Sequence, residues 1–391
     1  MSSSTSSSSV AGAVLDNALD TSPVAAWAHH GYWRRALFWP IGAYLAAELI
    51  CRIVSPIYLV NPDPAAIEVV APGYRALRPN YAAQVNVGGK PIAVRIHNEG
   101  FRDEPFPAAA PCLIVGVGNS YVANWAIDRA DFWSTKLELM LRQNPQAKRC
   151  AVRSAGFQGW GLGEIDAALA HRILPKNPAI VVLFFNNLTM WTPKTHDAHA
   201  SDADLARWLK APPAEPQAVP QAPPSPMARA IGLYNQIESH SALLGSLKVY
   251  VPMLPMTLGL SQLGVPVIYR DEVFAERQAP TLATLDSLRQ RVAAGGAQLV
   301  VVVLPSIAET DEGVYDLMLA TVGGSDRGVD ALRPAATVRA WAERRGVPVL
   351  DLGPALRAHR PAAMSKVDHH WNEVGNELAA EKLVPVVNKL L

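Results

Sequence analysis

The chain has 391 residues, ample for a packed core and enough for one large domain or two small ones. With 35 Lys and Arg against 34 Asp and Glu, a formal charge of +1 offers no footing to a polyanion, so nucleic acid is excluded as the main partner. Three cysteines cannot build a disulfide scaffold or a four-thiolate zinc site, and no repeat of solenoid period is present.

The opening MSSSTSSSS has almost nothing to bury, and residues 1–25 read as a disordered Ser-rich tail. Ala36 to Val54, ALFWPIGAYLAAELICRIV, comes close to the roughly 20 residues that cross a bilayer, which predicts a transmembrane anchor within residues 26–60. Glu48 and Arg52 fall inside it at i,i+4, where they can pair, and Arg52 is near enough to one end to snorkel. Arg34 and Arg35 precede it, so the N-terminus is expected inside and the remainder exported, to the periplasm in a Gram-negative cell. Trp33, Trp39 and Tyr58 suit the two interfaces. The apolar core starts late for a cleaved signal, and Cys51 lacks the small residue that a lipoprotein site has before it. The competing reading is an amphipathic or core helix of a soluble protein.

Between residues 61 and 110, alternating stretches such as IEVV and PIAVRI, broken by Pro and Gly, predict a small strand-rich adaptor. From 111 to 391 short apolar runs alternate with helical patterns. CLIVGVG precedes STKLELMLRQ, CAVRSAG precedes IDAALAHRIL, and AIVVLFF stands third. LDSLRQRVAA, AQLVVVVLP, VRAWAERR, VPVLDLG and ELAAEKLVPVVNKLL follow. This is the text of an α/β fold, a doubly wound and mostly parallel sheet with helices on both faces. Residues 192–227 interrupt it with APPAEPQAVPQAPPSPM, whose seven prolines in seventeen residues forbid helix interior and sheet centre, predicting an exposed insertion.

Ligands of open parallel sheets bind beyond the carboxyl ends of the strands. The first strand there ends Val117-Gly118-Asn119-Ser120-Tyr121, leaving a hydroxyl at a helix start where Ser120 is either a nucleophile or an ordinary N-cap. The second ends Ser154-Ala155-Gly156-Phe157-Gln158-Gly159-Trp160 and the third Phe184-Phe185-Asn186-Asn187. A glycine N–H and an asparagine carboxamide at such points can donate to an oxyanion. Near the C-terminus stands Val367-Asp368-His369-His370-Trp371-Asn372. In an extended segment residues i and i+2 face the same way, so Asp368 can orient the His370 imidazole while His369 points elsewhere.

Together these blocks resemble the SGNH, or GDSL, hydrolase family over Ile96 to Leu391. Asn98-Glu99-Gly100-Phe101-Arg102 is similar to, though one residue shorter than, the N-x-x-G-F-R stretch preceding the first block in exported members. The resemblance implies Ser120 as nucleophile, His370 as base and Asp368 as its partner, with an oxyanion hole from the Ser120 and Gly159 N–H groups and the Asn186 amide. Asn119 stands where the family has aspartate, Phe184 and Asn187 where it has glycine and aspartate, and the last block is D-x-H rather than D-x-x-H. The implied chemistry is acyl transfer through a serine ester, with no metal and no cofactor. The substrate implied by an exported location is an O-acyl group on an envelope or extracellular glycan, or another small ester. Water or a sugar hydroxyl as the second acceptor gives an esterase or an acyltransferase, and a silent glycan-binding or assembly module is the non-enzymatic alternative.

Other readings have less support. A dinucleotide fingerprint fails because Val115-Gly116-Val117-Gly118 meets Tyr121 where the third glycine belongs, and an α/β-hydrolase elbow fails at Val122. His196, Asp197 and His199 read as a solvated loop rather than metal ligands. Trp160, Trp191 and Trp371 are either a sugar-stacking wall or core. Cys112 and Cys150 precede Ser120 and Gly159 by eight and nine residues, which puts both at the start of adjacent strands about 4.8 Å apart. A disulfide and two small buried thiols are both open readings.

Overall fold

The computed structural model describes residues 23–54, 66–71, 74–87, 90–108, 110–187, 190–191, 233–234, 237, 240–247, 267–313, 315–316, 328–359, 362–364 and 370–391. The insertion read at 192–227 and the tail up to residue 22 lie outside them. The chain divides into two compact units, residues 1–50 and 51–391.

The expected anchor lies inside a longer helix, α1 (Pro23–Val54). The expectation of a span is corrected here: among the described residues no helix is long and apolar enough to cross a membrane. Along its 32 residues α1 carries Arg34, Arg35, Glu48 and Arg52 as well as His29 and His30, so the apolar stretch does not stand apart as a helix of its own. Phe38, Trp39, Leu45, Leu49 and Ile53 are exposed, while Glu48 is buried.

In the larger unit two antiparallel hairpins come first. β1 (Ile67–Ala71) pairs with β2 (Tyr74–Leu77), and β3 (Ala82–Val87) with β4 (Lys90–Arg95). The main sheet follows: β5 (Cys112–Gly118), β6 (Cys150–Gly156), β7 (Ile180–Asn186), β8 (Gln298–Leu304) and β9 (Val349–Asp351). Its order is β6-β5-β7-β8-β9 and every pairing is parallel. This is the doubly wound arrangement, whose winding reverses between β5 and β7.

Why these runs form strands is clearest at β7, IVVLFFN, in which every residue is buried. A strand covered on both faces has no polar side to show, and β-branched and aromatic residues fit the pleat. Val181, Leu183 and Phe185 join one core with Trp160, Trp191, Tyr269 and Trp341. Ile180, Val182 and Phe184 join the opposite core with Tyr121, Trp133, Trp371 and Leu383. Helices α3 (Trp133–Leu141) and α9 (Glu373–Leu390) carry residues of the second core. Helices α5 (Asp271–Ala294) and α7 (Arg333–Arg344) carry residues of the first, as does α4 (Leu162–Ala168). Gly116, mid-strand in β5, leaves the room that the Trp133 ring fills, and a Cβ there would overlap the indole.

The outer edge of β6 is blunted by carboxylates. The Val152 N–H donates to Glu138 Oε2 (3.0 Å) and the Ser154 N–H to Asp103 Oδ2 (2.7 Å), so two ladder donors on the open side are satisfied within the chain. At the amino end, Cys112 and Cys150 are register partners, their Cα atoms 4.4 Å apart, and they are joined by a disulfide. Of the two readings open for these cysteines, the bonded one holds. Cys51 is free.

Candidate active site

Ser120 follows β5 after one residue and opens a four-residue helix, α2 (Ser120–Ala123). Its N-cap is Asn119, whose Oδ1 accepts the Tyr121 N–H (3.2 Å), so capping does not occupy the Ser120 hydroxyl. That hydroxyl lies 2.7 Å from His370 Nε2. A residue 250 positions away in sequence is thereby brought to the strand end where the serine stands.

His370 is held by what surrounds it. Its ring packs on Tyr121 with centroids 4.6 Å apart. The next residue, Trp371, is buried, and its indole N–H is shared between the Tyr121 carbonyl (2.8 Å) and Asn124 Oδ1 (2.9 Å). Trp371 also forms a bridge to Met364, and Asn372 caps α9 by accepting from the Val374 and Gly375 N–H groups (3.0 and 3.2 Å). Asp368 and His369, on which the orienting-carboxylate reading rests, lie outside the described residues.

The other two expected contributors sit at neighbouring strand ends. Gly159 has φ +77°, a left-handed conformation that glycine adopts without a Cβ penalty, and a Cβ built there would meet nothing within 4 Å. Backbone conformation, not crowding, selects glycine at this position. Asn186 is the last residue of β7 and is buried, and its carbonyl accepts the Met190 N–H (3.1 Å).

The cleft at Ser120 and His370 is lined by Asn124, Trp125, Ala126, Ile127, Gln158 and Trp371. Residues 124–127 and Gln158 were not singled out as site residues by sequence, since nothing there distinguishes them from an ordinary turn. The wall they form is backed by Arg102. Its Nη2 donates to the Ile127 carbonyl (2.8 Å), and its guanidinium lies 4.9 Å from the Phe132 ring centroid and 5.9 Å from that of Trp125. Burial pulls the Arg102 pKa down to about 10, countered by Asp128 and Asp103, so the group is cationic at neutral pH. Asp103 is buried too; desolvation raises its pKa, against the lowering effect of donors from Glu104, Ser134 and Ser154.

Of the tryptophans read as wall or core, all three are core, with Trp160, Trp191 and Trp371 no more than 2% exposed. Of these three, Trp371 also reaches the cleft, which it lines together with Trp125. Among the described residues no cluster of His, Cys, Asp and Glu is placed to hold a metal; His196, Asp197 and His199 lie outside them.

Beyond β7 and β8 lies a buried polar cluster that the sequence did not announce. Glu309, on the short helix α6 (Ile307–Thr310), accepts from the Asn187 carboxamide (2.8 Å) and the Ser306 N–H (2.6 Å). The Tyr269 hydroxyl lies 3.4 Å from Glu309 Oε2 and is hydrogen-bonded to Ser306 Oγ. Burial raises the Glu309 pKa to about 7 despite these donors, and Asp351 adds to the rise. Burial likewise raises the Tyr269 hydroxyl, with Glu309 as the next contribution, so it is a neutral donor at any physiological pH.

A serine hydroxyl in contact with an imidazole, at the carboxyl ends of a parallel sheet ordered β6-β5-β7-β8-β9, is a nucleophile beside a base, the arrangement of an esterase or an acyltransferase. The sequence comparison gives the more particular likeness: residues 268–390 match the SGNH hydrolase-like domain of the acetyltransferase AlgX. Among solved structures the chain is similar to the acetyl xylan esterase AlAXEase, with 12% identity, 70% of this chain and 99% of that one covered, and a TM-score of 0.40. It is similar also to an alanine variant of Axe2, an acetylxylan esterase from Geobacillus stearothermophilus (10% identity, 71% and 94% covered, TM-score 0.38). A third likeness is to TesA (13% identity, 71% and 99% covered, TM-score 0.37). No curated protein matches the chain in sequence.

Proposed function

We propose that the chain transfers acyl groups through a covalent Ser120 ester, with O-acyl groups of envelope or extracellular glycans as its substrate class. The observation that carries this is the 2.7 Å approach of His370 Nε2 to Ser120 Oγ in an open cleft. In the first half-reaction Oγ bonds to the acyl carbon while its proton passes to His370 Nε2, and the carbonyl electron pair moves onto oxygen. The N–H groups of Ser120 and Gly159 and the Asn186 carboxamide receive that oxyanion. Collapse breaks the bond to the leaving alcohol, whose oxygen takes the proton from His370. Asp368 holds the imidazole tautomer and stabilises its cationic form.

In the second half-reaction an incoming hydroxyl gives its proton to His370 Nε2 and its oxygen bonds to the acyl carbon; collapse breaks the bond to Ser120 Oγ, which takes the proton back from His370. If that hydroxyl is water the enzyme is an esterase. If it belongs to a sugar, the enzyme is an acyltransferase, a reading favoured by the match to the SGNH-like domain of an acetyltransferase. An extracytoplasmic location belongs to the same proposal; the disulfide, a bond that persists in oxidising compartments, supports it.

The test is labelling by a fluorophosphonate serine probe. The wild type labels and Ser120→Ala does not. Labelling that survives in Ser120→Ala removes the nucleophile assignment, and a wild type that never labels points to a silent module. Product analysis with an acetyl ester donor, with and without a glycan acceptor, separates hydrolysis from transfer.

A further inference from the structure

Asn186 and Asn187 leave β7 on opposite sides, and the two sides have different fates. Along the strand Ile180, Val182 and Phe184 point into the core that contains Tyr121 and Trp371, whereas Val181, Leu183 and Phe185 point into the core that contains Tyr269. Alternation continues the first row to Asn186, on the Ser120–His370 side, and the second to Asn187, on the Tyr269–Glu309 side. Asn187 is fully buried there, and its Nδ2 donates to Glu309 Oε1 at 2.8 Å.

Glu309 in turn is gripped from four segments. Its Oε2 accepts from the Ser306 N–H (2.6 Å) and stands 3.4 Å from the Tyr269 hydroxyl, and its own carbonyl accepts from Arg357 Nη1 (2.6 Å). The loop itself is tied back by the Asn187 N–H to the Leu304 carbonyl (3.2 Å) and by the Met190 N–H to the Asn186 carbonyl (3.1 Å). One carboxyl group therefore joins the ends of β7 and β8, the turn at Tyr269 and α6. A buried donor on so rigid an acceptor has one orientation available, which fixes the peptide that separates it from Asn186.

We propose that Asn187 and Glu309 form the clamp that aims the Asn186 carboxamide at the reacting oxygen. The inference rests on the reading of Asn186 as an oxyanion donor given above. Both are positioning residues: neither touches the acyl group, and each acts through its neighbour. A donor turned away from the oxyanion no longer stabilises the transition state, so loss of the clamp lowers the rate of the chemical step and leaves substrate binding alone.

The experiment compares fluorophosphonate labelling of full-length wild type, Asn187→Leu, Glu309→Gln and Tyr269→Phe, separating the limiting rate from the half-saturating probe concentration. Asn187→Leu keeps the volume and removes the hydrogen bond; its limiting rate falls at least tenfold with half-saturation within twofold. Glu309→Gln stays within threefold of wild type. Its new N–H is taken by Asn187 Oδ1, which has no hydrogen-bond partner among the described residues, once that carboxamide turns over. A wild-type rate in folded Asn187→Leu, or an equal loss in Glu309→Gln, overturns the proposal. Should Asn187→Leu not fold, Tyr269→Phe decides, with about a threefold loss of limiting rate and weaker hydrogen-exchange protection of the Met190 N–H. Wild-type values of both overturn the clamp. Absence of labelling in the wild type, by contrast, defeats the reading of Ser120 as nucleophile, and Met190 protection then tests the clamp without reference to activity.

Discussion

The two ends of the main sheet are built on opposite terms. At the amino end β5 and β6 begin with Cys112 and Cys150, register partners joined covalently, and the outer edge of β6 is closed by Glu138 and Asp103. At the carboxyl end the same two strands finish in Gly118 and Gly156, and the side chains beyond are held by ring packing and hydrogen bonds with no covalent link. One end resists the unfolding of the sheet, and the other presents groups that must exchange protons and partners. The difference teaches that stability and chemistry have been given separate ends of one element, and that changes at the two ends should be read out by different measurements.

The sharpest test of that division is Ser120→Ala or His370→Ala. Either lowers kcat/KM for an activated acetyl ester by at least about a thousandfold, while the urea midpoint moves by less than the equivalent of about 0.5 kcal/mol. The converse change is Cys112→Ala with Cys150→Ala. Opening a loop with a sequence separation of 38 removes about 4 kcal/mol in the chain-entropy account and leaves activity per folded molecule within twofold, as urea unfolding and active-site titration will show. Next comes Asn186→Ala, expected to cost about 3 kcal/mol of transition-state stabilisation, read as a fall in kcat at nearly constant KM.

Glu309 breaks the division, because it stands at the carboxyl end and yet bears on stability. Its folded pKa is about 7 against an ordinary 4.5, so the stability it contributes is fully present below pH 4.5 and is lost as pH rises through 7. The span corresponds to about 3 kcal/mol at most. Urea unfolding at pH 5 and pH 8 should show the wild type losing stability with rising pH relative to Glu309→Gln, which has no proton to lose there. Parallel pH dependences in the two proteins would return Glu309 to an ordinary buried carboxyl.

How much of this was legible in sequence depended on whether a residue's surroundings are local. AIVVLFF announces a strand buried on both faces because no polar face interrupts it, and β7 spans Ile180–Asn186. The serine and histidine were legible as chemistry at strand ends, and the 2.7 Å contact between them follows from where α/β topology sends those ends. The apolar stretch Ala36 to Val54 was legible, but its surroundings were not: it lies inside the longer helix α1, and among the described residues no helix is long and apolar enough to cross a membrane. Glu309 was missed for a different reason. In Ile307-Ala308-Glu309-Thr310 it reads as a solvated charge, and its partners Tyr269 and Asn187 lie 40 and 122 residues away. Arg102 was legible as part of a motif but not as the cation behind the cleft wall, since its ring partners Trp125 and Phe132 belong to a turn with no sequence signature.

The Trp371 indole, shared between the Tyr121 carbonyl and Asn124, has a consequence in time as well as in space. A chain emerging from the ribosome displays its serine some 250 residues before the imidazole that activates it. Until the last helix docks and the indole seats against the turn behind Ser120, the hydroxyl is an ordinary alcohol, inert toward the acyl esters of the compartment in which the chain is made. On the proposed mechanism, the nucleophile is armed by completion of the fold.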